Sequence, residues 1–289
     1  MPVKELYTTS TDGTKIWAES TGNPSKPAVV FIHGLSCTAF AYDKQFVDPD
    51  LLKNLYMVRY ELRGHGRSGM PEDIEAYASP RQAEDFAAVC EAFGLKKPFV
   101  CAWSLGACIP CDIVGNLGAE YISGVIYSAG SPVPSPTIAE RCVVGETFPS
   151  AFHPMMVDIL SLDSSTAARS AATFVDSCVA HPSRDLPWPV KLLWMGGYGS
   201  QLPQIRNYHI SRAQDNTRWL AEAAKQWPVL MIHGLKDLHR LTDVVTRQLK
   251  EVYVNTEVQY MEDVGHAPHY ERPGETNRLL LGFVQKHSA

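Results

Sequence analysis

Short apolar runs rich in β-branched residues punctuate the first 130 residues of the chain, with loops and helix-compatible stretches between them. Val3 to Thr9 and Lys15 to Ser20 flank the turn residues Thr11-Asp12-Gly13, which predicts a hairpin. Ala28 to His33 and Leu55 to Glu61 each run into a glycine-containing loop, and Lys97 to Ala102 ends abruptly at Ser104. Near the other end, Pro228 to His233 and Glu257 to Met261 read as two more strands. Strand, loop, helix, strand is the order that builds a parallel sheet covered on both faces. In such sheets ligands bind beyond the carboxyl ends of the strands.

After Tyr121 to Tyr127 the rhythm changes. Ser131 to Pro136 is a proline-rich break, and no clear strand follows until about Gln226. Ser165 to Ala180 predicts a helix capped by Asp163 or Ser164, and Asp215 to Gln226 predicts another. Pro182, Pro187, Pro189 and Gly196-Gly197-Tyr198-Gly199 mark turns between them. The expected division is a core of residues 1–131 and 227–289, with residues 132–226 inserted as a helical unit.

The chemistry is densest around Ser104. A strand ends at this serine, with Ala102 two residues before it and Gly106 two after it, and helix-compatible sequence follows. That is the pattern of a nucleophile elbow, a turn so tight that its flanking residues must be small. An elbow needs an acid after a late strand and then a histidine. Asp237 follows the strand ending at His233, and His266 follows the strand ending at Met261. The order Ser104, Asp237, His266 therefore predicts a nucleophile, the group that orients the base, and the base. His269 and Asp243 are rivals. Asp243 fits a helix N-cap after Leu241-Thr242, and His233, inside an apolar strand, reads as a satisfied core histidine.

From end to end the chain resembles the α/β-hydrolase fold superfamily. Besides the elbow, the resemblance rests on Val29 to Ser36 with its His33-Gly34 turn and on Arg63-Gly64-His65-Gly66-Arg67-Ser68. Pro80 to Phe93, ahead of the elbow, and Gly265 to Pro273 complete it. It implies an α/β fold with a mostly parallel central sheet, helices on both faces and a helical cap over the active site. It also favours His266, preceded by Gly265, over His269. His33 and His65 become structural loop histidines, and the backbone N–H groups of Leu35 and Leu105 become the oxyanion hole. Relatives of the epoxide hydrolase and haloalkane dehalogenase kinds need an aspartate at the elbow, so Ser104 favours acyl transfer.

Composition narrows the substrate. A hydrophobic share of 45% with 20% charged residues is ordinary for a globule, and a net charge of -5 offers no footprint for nucleic acid. No apolar run reaches the ~18 residues of a membrane span. The N-terminal residues lack an apolar signal core and the seven cysteines are odd in number, which together predict a cytoplasmic protein. Cys108 and Cys111 are spaced as one pair with Pro110 between them, and no second pair follows, so they read as core residues. No metal or cofactor is expected. Phe40, Trp103, Trp188 and Trp194 are the candidate pocket aromatics. The expected reaction is hydrolysis of a medium-sized, largely apolar ester or lactone. The alternatives are cleavage of a carbon–carbon bond, cofactor-free oxidation, and a slow-turnover receptor.

Overall fold

The computed structural model describes residues 3–130 and 148–288. The proline-rich break expected at Ser131 to Pro136 lies outside the described residues. Eight strands form one sheet: β1 (Lys4–Thr9), β2 (Lys15–Gly22), β3 (Ala28–Ile32), β4 (Tyr56–Tyr60), β5 (Phe99–Trp103), β6 (Gly124–Ser128), β7 (Pro228–Gly234) and β8 (Asn255–Met261). Their spatial order is β1-β2-β4-β3-β5-β6-β7-β8. Only β2 runs against its neighbours; β4, β3, β5, β6, β7 and β8 are parallel. This is the expected mostly parallel sheet.

Alternation along the strands splits the core between the two faces. Val30, Ile32, Val100, Ala102, Val229 and Met231 pack on one side. There they meet α1 (Ser79–Phe93) and α2 (Ile109–Leu117). Val29, Phe31, Phe99, Cys101, Leu230 and Ile232 pack on the other, against residues such as Leu280 and Phe283. Burial on both faces explains why these strands read as continuous apolar runs.

The chain moves from β3 outward to β4 and then returns to place β5 on the other side of β3. Strand order reverses there, and a crevice opens beyond the carboxyl ends of β3 and β5.

Between β6 and β7 the described residues hold helices and no strand. The main ones are α3 (His153–Ile159), α4 (Ser164–Ser177), α5 (Trp188–Ser200) and α6 (Pro203–Ser211). Asp163 caps α4, its carboxylate accepting from the N–H groups of Ser165 and Thr166. The turns expected at Pro189 and at Gly196 to Gly199 are absent, because α5 runs through all of them. Pro189 falls in the first turn, where a missing N–H costs nothing. Gly197 faces a neighbouring loop instead of breaking the helix: a Cβ there would lie 3.1 Å from Thr38 Cγ2. The helix expected from Asp215 is shorter and includes a π-helical segment, Trp219–Ala223.

Candidate active site

Ser104 is the first residue after β5 and sits in left-handed backbone conformation, φ 54°. A non-glycine residue held there stores on the order of 1 kcal/mol or more and needs surroundings that fix it. The fixing is local. A Cβ on Gly106 would lie 2.6 Å from the His33 carbonyl oxygen, and a Cβ on Gly130 would lie 2.8 Å from the Ser104 nitrogen. Glycine at 106 is thus required by the close approach of β3. After one 3-10 turn α2 begins, with Pro110 in its first turn. Cys108 and Cys111 are both buried among apolar neighbours.

The loops after β7 and β8 bring two more groups to this point. His266 Nε2 lies 2.8 Å from Ser104 Oγ, and His266 Nδ1 lies 2.8 Å from Asp237 Oδ2. Donation of Nδ1–H to the carboxylate leaves Nε2 as the acceptor for the serine O–H. The other oxygen of Asp237 accepts from the backbone N–H groups of His239 (2.7 Å) and Arg240 (3.1 Å). Trp103 Nε1–H donates to the His266 carbonyl at 2.7 Å and pins its loop. Gly265 is needed because that loop packs against the helical insertion, where a Cβ would lie 2.5 Å from the Ala180 nitrogen.

Burial, followed by the nearby Arg240 guanidinium, holds the His266 pKa well below its ordinary value of 6.5. The imidazole is therefore neutral at pH 7 and able to accept a proton. Burial pushes the Asp237 carboxyl up, against the opposing pull of His239, its backbone N–H and Arg240. A base with a lowered pKa loses function only when it protonates. The acidic limb of kcat/KM is thus expected to fall below pH 6.5, with a plateau through neutrality. A limb centred above 6.5 would contradict this account of the site.

The rival groups take other places. His269 Nδ1 pairs with Ser128 Oγ at 3.1 Å, and its ring lies against Trp103 and Tyr42. His33 accepts from Leu62 N–H, and His65 from Ser36 N–H, so both hold loops. Asp243 is exposed in the first turn of the helix Thr242–Val252, where the N-cap is Leu241 and not Asp243. His233 is buried, but neither of its ring nitrogens has a hydrogen-bond partner among the described residues, so it is not the satisfied histidine expected.

A cavity of about 40 Å3 adjoins Ser104 and His266. Its apolar wall includes Leu35, Leu105, Phe152, Met156, Phe174 and Ile210. Of the expected aromatics, Trp103 lines it and the other three do not. Phe40 lies elsewhere, 4.6 Å from the Arg67 guanidinium and 5.1 Å from that of Arg59. Trp194 is buried between Trp103 and Tyr270, and Trp188 is 63% exposed. Trp194→Ala should therefore cost about 3–5 kcal/mol of stability, read from the denaturant midpoint. Trp188→Ala should leave stability, turnover and chain-length preference unchanged in parallel assays.

His239 and Arg240 also line the cavity and were missed from sequence. The His239 ring lies 4.0 Å from that of His266 and 4.2 Å from that of Phe152, and its Nε2 pairs with Ser177 Oγ at 2.8 Å. The available signal was adjacency: a carboxylate that orients a base needs donors, and backbone N–H groups two and three residues on can supply them. Among the described residues no group of three or more His, Cys, Asp or Glu side chains is placed to hold a metal ion. No described helix is long and apolar enough to cross a membrane.

Sheet order, strained serine and facing histidine together define an α/β protein with an elbow-type site. Comparison with known proteins gives the family: the Alpha/beta hydrolase family profile matches residues 29–279, and the chain belongs to that family. It is 26% identical to "Epoxide hydrolase A" of Mycobacterium tuberculosis over 95% of each chain. It is 41% identical over 80 residues to "Probable oxidoreductase EphD" of Mycobacterium bovis, a match that spans 28% of this chain and 13% of that protein's length. Among solved structures, the esterase RhEst1 from Rhodococcus sp. ECU1013 superposes with a TM-score of 0.84 at 23% identity, covering 99% of this chain and 100% of that one.

Proposed function

We propose that the protein is a serine hydrolase that cleaves a largely apolar carboxylic ester or lactone through an acyl-enzyme. The observation that carries this reading is the continuous hydrogen-bonded chain Ser104–His266–Asp237 at an apolar cavity. His266 takes the serine proton as Oγ attacks the acyl carbon, and Asp237 holds the imidazolium that results. The Leu35 and Leu105 N–H groups receive the oxyanion; both residues line the cavity, and Leu105 is the second residue of the 3-10 turn that leads into α2. His266 then returns its proton to the leaving oxygen. Water completes the cycle by the same steps.

Likeness to an epoxide hydrolase does not transfer that reaction. A carboxylate that opens an epoxide forms an ester, which water can release. A serine would form an ether, which this machinery cannot hydrolyse. In this reading the described part of residues 132–226 acts as a cap over the cavity, excluding water and setting length preference.

The mainly apolar cavity wall supports the medium-sized, largely apolar acyl group expected from sequence. A panel of p-nitrophenyl esters from acetate to octanoate should show turnover, with kcat/KM at least about tenfold higher at one chain length than at another. Hydrolysis of a diketone with no turnover of any ester in the panel would overturn the assignment to esters.

A further inference from the structure

We propose that Gln201 is a positioning residue for the oxyanion-binding loop. Through this side chain the helical insertion holds the Leu35–Ser36 backbone so that the Leu35 N–H serves the reaction at Ser104. The inference rests on the serine-hydrolase reading above and assigns a role to a residue outside the triad.

The loop needs holding. Ser36 is in left-handed conformation, φ 55°, a cost of about 1 kcal/mol or more that local sequence does not offset. Gly34, two residues earlier, lets the loop approach the nucleophile: a Cβ there would lie 3.1 Å from Ser104 Cβ. Relaxation of φ at Ser36 would swing the chain on its N-terminal side, which carries Leu35.

Two hydrogen bonds oppose that relaxation. The Ser36 N–H donates to His65 Nε2 at 3.1 Å, and the Ser36 hydroxyl donates to Gln201 Oε1 at 2.7 Å. Gln201 uses its other end as well, its Nε2 donating to the Gly64 carbonyl (3.0 Å) and to His65 Nε2 (2.9 Å). His65 Nδ1–H goes to the Arg63 carbonyl, which leaves Nε2 as the acceptor both contacts require. One buried amide therefore ties together the loops after β3 and β4.

Gln201 is itself built into place. It follows the last residue of α5 and is 1% exposed. Its carbonyl accepts from Arg206 Nη1 at 3.2 Å, and Arg206 Nε donates to the Ile159 carbonyl. Gly197, one turn earlier, lets α5 rest on the same loop, with a Cβ position 3.5 Å from the Ser36 carbonyl oxygen. The amide arrives from the insertion, whereas everything it holds belongs to the sheet loops. Seating of the insertion and completion of the oxyanion hole are thereby one event.

An oxyanion donor acts on the transition state and not on substrate binding, so its misplacement lowers kcat and spares KM. The test is the steady-state hydrolysis of p-nitrophenyl acetate by the parent, Gln201→Met, Ser36→Ala and the double variant. Inhibition by an aryl trifluoromethyl ketone, which forms a tetrahedral adduct, is measured alongside. Each single change should lower kcat by about 10- to 100-fold with KM within about threefold, and the inhibitor constant should rise by the factor kcat/KM falls. The double variant should lose no more than about threefold beyond the worse single, since both remove one contact. If Gln201→Met fails to fold, Ser36→Ala, which deletes a single hydroxyl, decides alone.

Folded variants with parental kcat, a change carried by KM, or fully additive losses would each overturn the proposal. Labelling of the parent at Ser104 by a fluorophosphonate separates the two layers. If the parent does not label, the hydrolase reading and this inference fail together. A parent that labels, with variants that behave like it, removes the Gln201 role alone.

Discussion

Ser104→Ala should reduce ester turnover by about four to six orders of magnitude while the protein still folds. The size of the loss follows from the role proposed for the hydroxyl: no other described side chain occupies the position 2.8 Å from His266 Nε2. The change removes a single oxygen, and alanine meets the same left-handed backbone that serine does, so the melting temperature should stay within a few degrees. Residual activity should come from the cavity and the N–H donors acting on water. Retention of more than about one per cent of parental kcat would mean that another group attacks the substrate.

Asp237→Asn should cost about three to four orders of magnitude in kcat, and Asp243→Asn less than twofold. The contrast follows from where the two side chains lie. The Asp237 carboxylate is buried, receives the N–H groups of His239 and Arg240, and faces His266 Nδ1. An amide there can offer N–H to Nδ1, which favours the tautomer with its proton on Nε2 and leaves the serine without a base. Asp243 is exposed on its helix. His266→Ala should fall near Ser104→Ala, because the two groups act as a unit. Steady-state kinetics on one ester, with circular dichroism to establish folding, decides the order. A severe Asp243→Asn beside a mild Asp237→Asn would reverse the roles.

The strands were legible because burial on both faces leaves little room for polar residues in β3, β5 and β7. Edge strands blurred: β8 begins at Asn255, two residues before the expected Glu257, since exposed edge positions carry no apolar signal. At β6 the run from Tyr121 starts too early, because Ala119–Tyr121 forms a 3-10 turn and the strand begins at Gly124. That Ser104, Asp237 and His266 would meet was legible because each follows a strand end, and the sheet carries those ends to one edge. The insertion was least legible. Proline and glycine at 189 and 196–199 signal turns by local propensity, yet in α5 tertiary contact decides. Aromatic content likewise cannot say which way a ring faces, which is why Phe40, Trp188 and Trp194 were expected at the cavity and lie elsewhere. His239 went unseen because its place depends on the fold of the Asp237 loop and on two phenylalanines far away in sequence.

The central claim is that Ser104 forms the covalent bond to substrate. Its most direct test is treatment of the native protein with a fluorophosphonate probe, followed by digestion and mass mapping. The account predicts one adduct, on the peptide carrying Ser104, absent from the Ser104→Ala and His266→Ala proteins and abolished by prior denaturation. An adduct on a different residue, or none on a preparation that hydrolyses esters, would contradict it.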